Sequence, residues 1–129
     1  MAQSFAIKIT RFRTVVLIIL MYYTVDMGGQ TNNYMQQALS YQREAEYYTK
    51  QALGYDREVD YYNRHAQIYL REAEYYLKRM RYDQVRSYQR RAKDAKERAE
   101  SYKKRADDAR DKARTYMRKT EKALKNAKK

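Results

Sequence analysis

The sequence predicts an all-α protein, either a heptad-patterned helical hairpin or an extended coiled coil built from 14-residue repeats. Three observations predict it. With 3 Gly, no Pro and no Cys in 129 residues, and with 35% of them charged, the composition is that of long helices rather than of layered folds. Six blocks of fourteen residues each begin with Tyr and carry Ala, Val or Thr at the fifth position. Fourteen is two heptads, and apolar residues spaced by 3.5 on average mark helices packed along a seam.

Residues 1–29 stand apart from this pattern. Lys8, Arg11 and Arg13 precede an apolar run from Val15 to Val25, and the first acid is Asp26, which is the layout of a secretory signal peptide. The run is short against the roughly 20 apolar residues that span a bilayer, so an N-terminal anchor is the weaker alternative and no membrane span is expected after cleavage. Gly28 and Gly29 are small enough to lie near a cleavage site, whereas Asp26 and Met27 are not what such a site prefers. A buried core helix is not expected here, because Leu, Ile, Val and Phe are scarce downstream.

Residues 30–82 form the Tyr-rich helix. Residues 41–54, 55–68 and 69–82 read YQREAEYYTKQALG, YDREVDYYNRHAQI and YLREAEYYLKRMRY, one unit copied three times. Heptad letters put Tyr34, Tyr41, Tyr48, Tyr55, Tyr62, Tyr69 and Tyr76 at d, and Ala38, Ala45, Ala52, Val59, Ala66, Ala73 and Met80 at a. These tyrosines are seam residues, and their hydroxyls call for a thin seam with wet edges. Pairs such as Glu46 with Lys50 and Glu74 with Lys78, acid before base at i,i+4, support the helix by about 0.2–0.5 kcal/mol each.

The five residues DQVRS, 83–87, fall between the two sets of blocks. Five extra positions turn an apolar stripe by roughly 140°, so a single straight helix loses its seam there, while two helices joined by a turn at 83–87 keep it. Asp83 or Ser87 is the expected cap of the second helix. In the Ala/Lys/Arg-rich basic helix, 88–129, a is Ala92, Ala99, Ala106, Ala113, Thr120 and Ala127, and d alternates Tyr with Ala. An antiparallel pairing sets a against d, hence Ala against Tyr, and this favours the hairpin over a long helix in a multimer.

Charge divides the two helices. Residues 30–82 hold 8 Lys+Arg and 7 Asp+Glu, net +1, whereas residues 83–129 hold 18 and 8, net +10. A field of that sign attracts polyanions: an acidic matrix polymer, a sulfated glycan or a mineral surface, with nucleic acid the least available of them if the chain is exported. Arg90, Arg91, Lys103, Lys104, Arg105, Arg118 and Lys119 are the candidate polyanion-binding residues. On the other helix Tyr47, Tyr61, Tyr75 and Tyr82 fall at heptad position c, outside the seam. A row of outward aromatics is expected to contact something, which makes these four a candidate surface for self-association or cross-linking.

Catalysis has no support in the sequence. One His, no Cys and no Gly-rich phosphate loop leave no nucleophile with its base and no nitrogen or sulfur metal site, and no cofactor is expected. In residue usage the chain resembles structural proteins of secreted matrices, such as byssal, cement, silk or shell-matrix proteins. That resemblance implies a secreted, self-associating matrix protein with a role in adhesion or biomineralisation. The alternative expectation is a cationic polyanion-binding or membrane-active module in which the basic helix is the active part.

Overall fold

In the computed structural model the described residues are 2–23 and 29–129, with side chains described for 6–19 and 29–129. They form three helices: α1 (Ala2–Tyr23), α2 (Gly29–Leu77) and α3 (Tyr82–Ala127), with no strand among the described residues. The fold is an all-α helical hairpin, α2 and α3 being its arms. Of the residues expected around the cleavage site, Asp26, Met27 and Gly28 lie outside the described residues, while Gly29 is the first residue of α2. Contacts divide the chain into two compact units, Leu53–Asp107 and the combination of Met1–Ala52 with Asp108–Lys129.

In the unit Leu53–Asp107 the buried side chains are small. Ala66 and Ala73 of α2 and Val85, Ala92, Ala95, Ala99 and Ala106 of α3 are buried, while every seam tyrosine is only half-buried. Alanine removes little apolar area per residue, about one methyl group at roughly 0.8 kcal/mol. The tyrosine rings therefore supply the large apolar contacts, from the edges of the seam. Rings of the two helices touch each other, Tyr55 with Tyr102 and Tyr69 with Tyr88, so the arms run antiparallel as expected. The expected opposition of large against small fits these contacts: Tyr102, touching both Tyr55 and Tyr62, is level with Val59 at a between them, and its ring is long enough to meet the rings of both neighbouring layers.

The connection between the arms lies at residues 78–81, not at 83–87. The end of α2 is a Schellman motif: the Arg81 N–H donates to the Tyr76 carbonyl (3.1 Å) and the Met80 N–H to the Leu77 carbonyl (3.0 Å). Met80 takes the left-handed position with φ 54° and is 75% exposed, so it is not the a-position seam residue that the heptad count makes it. Val85, one heptad before Ala92, is buried instead and begins the seam of α3. Neither Asp83 nor Ser87 is the cap. The Val85 N–H donates to the Arg81 carbonyl (3.1 Å), which makes Arg81 the flanking residue, and Asp83 sits inside the first turn of α3 paired with Arg86. An acid in that turn faces the positive end of the helix dipole.

In the other unit, α1 packs on the start of α2 and the end of α3. Val16 is 1% exposed and clusters with Met35, Ala38, Ala123, Leu124 and Ala127, with Phe12, Ile19, Tyr34 and Tyr41 packed around it. Phe12, Val16 and Ile19 lie at i, i+4 and i+7, one face of a helix. Arg13 reaches Glu46 across the helices (3.4 Å). The expectation that nothing downstream buries this segment is thus corrected. Alanines leave space for a bulky neighbour, and Met35 and Leu124 complete the pocket. The opposite face stays open, with Ile7, Val15, Leu17 and Ile18 all about half-exposed. Among the described residues no helix is long and apolar enough to cross a membrane.

Two backbone positions are suboptimal in ways that substitution tests. Gly54 is helical and a Cβ there meets nothing within 4 Å. Gly54→Ala is expected to stabilise by about 0.5–1 kcal/mol, since alanine loses less backbone entropy on folding. Met80→Gly is expected to stabilise by a similar amount, because the left-handed conformation costs a side-chain-bearing residue roughly 1–2 kcal/mol. Urea denaturation monitored by circular dichroism checks both. A destabilised Met80→Gly protein would mean that the Met80 side chain packs rather than projects.

Candidate functional site

The most regular feature of the molecule is a set of three-ring stacks. Tyr102 of α3 lies between Tyr55 (centroids 6.1 Å apart, planes at 38°) and Tyr62 (5.7 Å, 12°) of α2. Tyr88 lies likewise between Tyr69 (6.3 Å, 39°) and Tyr76 (5.5 Å, 13°). In the other unit Tyr116 lies between Tyr41 (6.2 Å, 38°) and Tyr48 (5.7 Å, 12°). The arithmetic of the heptads produces this. One tyrosine on α3 in every second heptad meets one on α2 in every heptad, so each α3 ring has two partners. Separations of 4.5–7 Å are those that aromatic pairs prefer, at about 0.5–1.5 kcal/mol per pair beyond area burial.

Cations cover these rings. Heptad position g of α3 reads Arg91, Arg98, Arg105, Lys112 and Lys119, five cations in a row between Gln84 and Asn126. Arg91 and Arg105 lie 5.2 Å from the rings of Tyr88 and Tyr102, three residues earlier on their own helix. Arg98 and Lys112 instead reach α2, at 5.6 Å from the Tyr62 ring and 5.3 Å from the Tyr48 ring. Lys119 does both, over Tyr116 (4.9 Å) and Tyr41 (5.6 Å). Each contact is worth about 0.5–1 kcal/mol at an exposed site. Arg98 Nη1 also donates a long hydrogen bond to the Tyr62 hydroxyl (3.4 Å), which pushes the guanidinium pKa up from its ordinary value.

The candidate polyanion-binding residues therefore fall into two groups. Arg91, Arg105 and Lys119 are engaged with tyrosine rings, whereas Arg90, Lys103, Lys104 and Arg118 are exposed at the neighbouring e and f positions of α3, away from the ring stacks. The placement of the first group over rings was visible in the sequence as cations fourteen apart, each three residues after a tyrosine on its own helix.

Tyr47, Tyr61 and Tyr75 project from α2, 54%, 53% and 48% exposed. Each sits edge-on against its seam neighbour: Tyr48 (5.3 Å, 73°), Tyr62 (5.1 Å, 84°) and Tyr76 (5.1 Å, 87°). Each also meets the residue four positions on. Gln51 Nε2 donates to the Tyr47 hydroxyl (2.8 Å), His65 packs 4.2 Å from the Tyr61 ring, and the Arg79 guanidinium lies 3.6 Å over the Tyr75 ring. These three rings are held in position rather than left to rotate. Tyr82 differs. It is the first residue of α3, so its place in the α2 heptad is void, although it is 57% exposed.

His65 also borders a cleft of about 310 Å³ between α2 and α3, lined by Tyr61, Tyr62, Tyr69, Arg91 and Arg98 among others. Among the described residues no group of three or more His, Cys, Asp or Glu side chains is placed to hold a metal ion. No protein family, curated protein or solved structure matches this chain.

The ring stacks and the outward rings differ in what their removal costs. Tyr102→Ala is expected to destabilise by about 2–4 kcal/mol, because it strips two stacked partners and the cover of Arg105 at once. Tyr61→Ser is expected to cost about 1 kcal/mol or less, as for an exposed side chain with one edge contact. Chemical denaturation of the two variants measures the difference, and equal costs would place Tyr61 in the core.

Proposed function

We propose that the protein is a secreted, self-associating structural protein of an extracellular matrix. Its outward tyrosines join one chain to another, and the outer basic face of α3 binds an acidic polymer, a sulfated glycan or a mineral surface. The observation that carries this reading is the arrangement of Tyr47, Tyr61 and Tyr75. An exposed aromatic ring loses side-chain freedom when it binds, at about 0.5–1.5 kcal/mol for a rotamer-rich side chain. Rings already oriented by an edge contact and by the residue at i+4 have lost part of that freedom on folding. They are suited to meeting a partner surface repeatedly, and their exposed hydroxyl ends suit oxidative coupling. In such coupling each of two phenols gives one electron and one proton to the oxidant, and their ortho carbons join.

The signal-peptide layout of residues 1–29 supports export. Matrix binding rests on Arg90, Lys103, Lys104 and Arg118, whose charges are exposed and not occupied by ring stacks. The same four residues favour the second reading, a cationic module for polyanions in which the tyrosines serve only the hairpin. The two readings part on what the outward rings do.

The variant with Tyr47, Tyr61, Tyr75 and Tyr82 all changed to Ser decides between them. On treatment with a peroxidase and hydrogen peroxide, intermolecular dityrosine in the full chain is expected to fall several-fold while helicity by circular dichroism stays near the parent value. Unchanged cross-linking would remove the matrix reading's central support. For the basic face, changing Arg90, Lys103, Lys104 and Arg118 to Gln is expected to weaken heparin binding and flatten its salt dependence, because fewer counterions are released. Retention of the parent salt dependence would assign the binding to other cations.

A further inference from the structure

The tip of the hairpin carries an unusual combination of residues. Leu77, Met80 and Tyr82 are 52%, 75% and 57% exposed, three large apolar side chains within six positions. Lys78, Arg79 and Arg81 alternate with them, and no acid lies between Leu77 and Tyr82. The nearest acids are Glu74, which pairs with Lys78 (3.7 Å), and Asp83, which pairs with Arg86. Over residues 74–86 four cations oppose two acids, net +2. Met80 stands at the apex in the left-handed conformation, φ 54°, where glycine is the residue without strain. A strained position held by a bulky exposed hydrophobe points to use of that side chain outside the fold.

We propose that this tip is a docking site for an anionic lipid surface. Cations interleaved with apolar side chains match the layered chemistry of a bilayer interface, where phosphates lie above acyl chains and tyrosine is favoured at the boundary. A nucleic acid would meet the cations but leave Leu77 and Met80 in water. Leu77 and Met80 enter the acyl boundary while Arg79, Arg81 and Arg86 contact headgroup phosphates. Arg79 is already oriented, with its guanidinium on the Tyr75 ring and Nη1 donating to the Tyr75 carbonyl (3.3 Å). Met80, Arg81, Tyr82, Asp83, Gln84 and Arg86 also border an open recess of about 650 Å³, where a headgroup fits beside two arginines. The contact needs no membrane-spanning segment, and it does not depend on the matrix reading.

The absence of Cys makes the test direct, because a single introduced thiol carries the probe. The full chain is labelled with an environment-sensitive fluorophore at Met80→Cys or, separately, at Lys104→Cys, and mixed with phosphatidylcholine vesicles with and without phosphatidylserine. Binding is expected to be at least about tenfold stronger with phosphatidylserine. The probe at position 80 is expected to shift to an apolar environment while the probe at 104 stays in water. Met80→Gly, which keeps and relaxes the turn, is expected to lose about fivefold to tenfold in vesicle affinity in unlabelled protein, for one buried side chain. No vesicle binding, equal binding to both vesicle types, or a probe at position 80 that stays in water while vesicles are bound would each overturn the proposal. So would a Met80→Gly protein that binds as the parent does, since the basic face of α3 would then be the lipid contact.

Discussion

Alanine at the buried seam is the constraint on which the rest of the structure depends. Buried Ala66 and Ala73 against buried Ala92, Ala95, Ala99 and Ala106 let the two arms approach until little else fits between them. Tyrosine cannot be accommodated in that space. It is displaced to the edge, where its ring covers the alanines and its hydroxyl reaches water, which is the one environment that satisfies both ends of the side chain. Phenylalanine in the same places would leave an apolar edge exposed. The choice of Tyr over Phe at the ten seam positions follows from the thinness of the seam.

Ring contacts across the arms stabilise the hairpin and take up one face of several cations. Each of Tyr88, Tyr102 and Tyr116 meets two α2 rings, and the resulting faces attract the cations at position g. A guanidinium over a ring is weakly hydrated and loses little by lying there. Arg91, Arg105 and Lys119 keep their charge with one face on a ring, whereas the outer residues Arg90, Lys103, Lys104 and Arg118 are exposed away from the stacks.

The two ends of the described hairpin arms handle exposed apolar surface differently. At the open end α1 covers Met35, Ala38, Leu124 and Ala127 with Phe12, Val16 and Ile19, and so supplies bulk that an alanine seam lacks. At the turn no segment among the described residues covers Leu77, Met80 and Tyr82. The turn itself closes well, since the Schellman hydrogen bonds satisfy the last carbonyls of α2. Its residue choice is what departs from local preference, and local departures of this kind concentrate where a protein meets something else.

The antiparallel arms rest on the ring contacts, since the sequence alone leaves an extended coiled coil open. The helical class, the seam letters from Tyr34 to Tyr76 and from Ala92 to Ala127, and the outward placement of Tyr47, Tyr61 and Tyr75 are legible in the sequence. All of these follow from a period of seven, which specifies the direction of a side chain from its position alone. Tertiary structure decided what period cannot express. The turn lies at residues 78–81 because a helix ends where its carbonyls find other donors, and the third block keeps its fourteen-residue length past that point. Met80 and Tyr82 consequently leave the α2 pattern, while Val85 joins that of α3. Ring length lets a tyrosine touch the rings of the neighbouring layers as well, a contact that a heptad letter does not express. Val16 is buried because two alanine-rich helix ends leave a space that no single stretch of sequence describes.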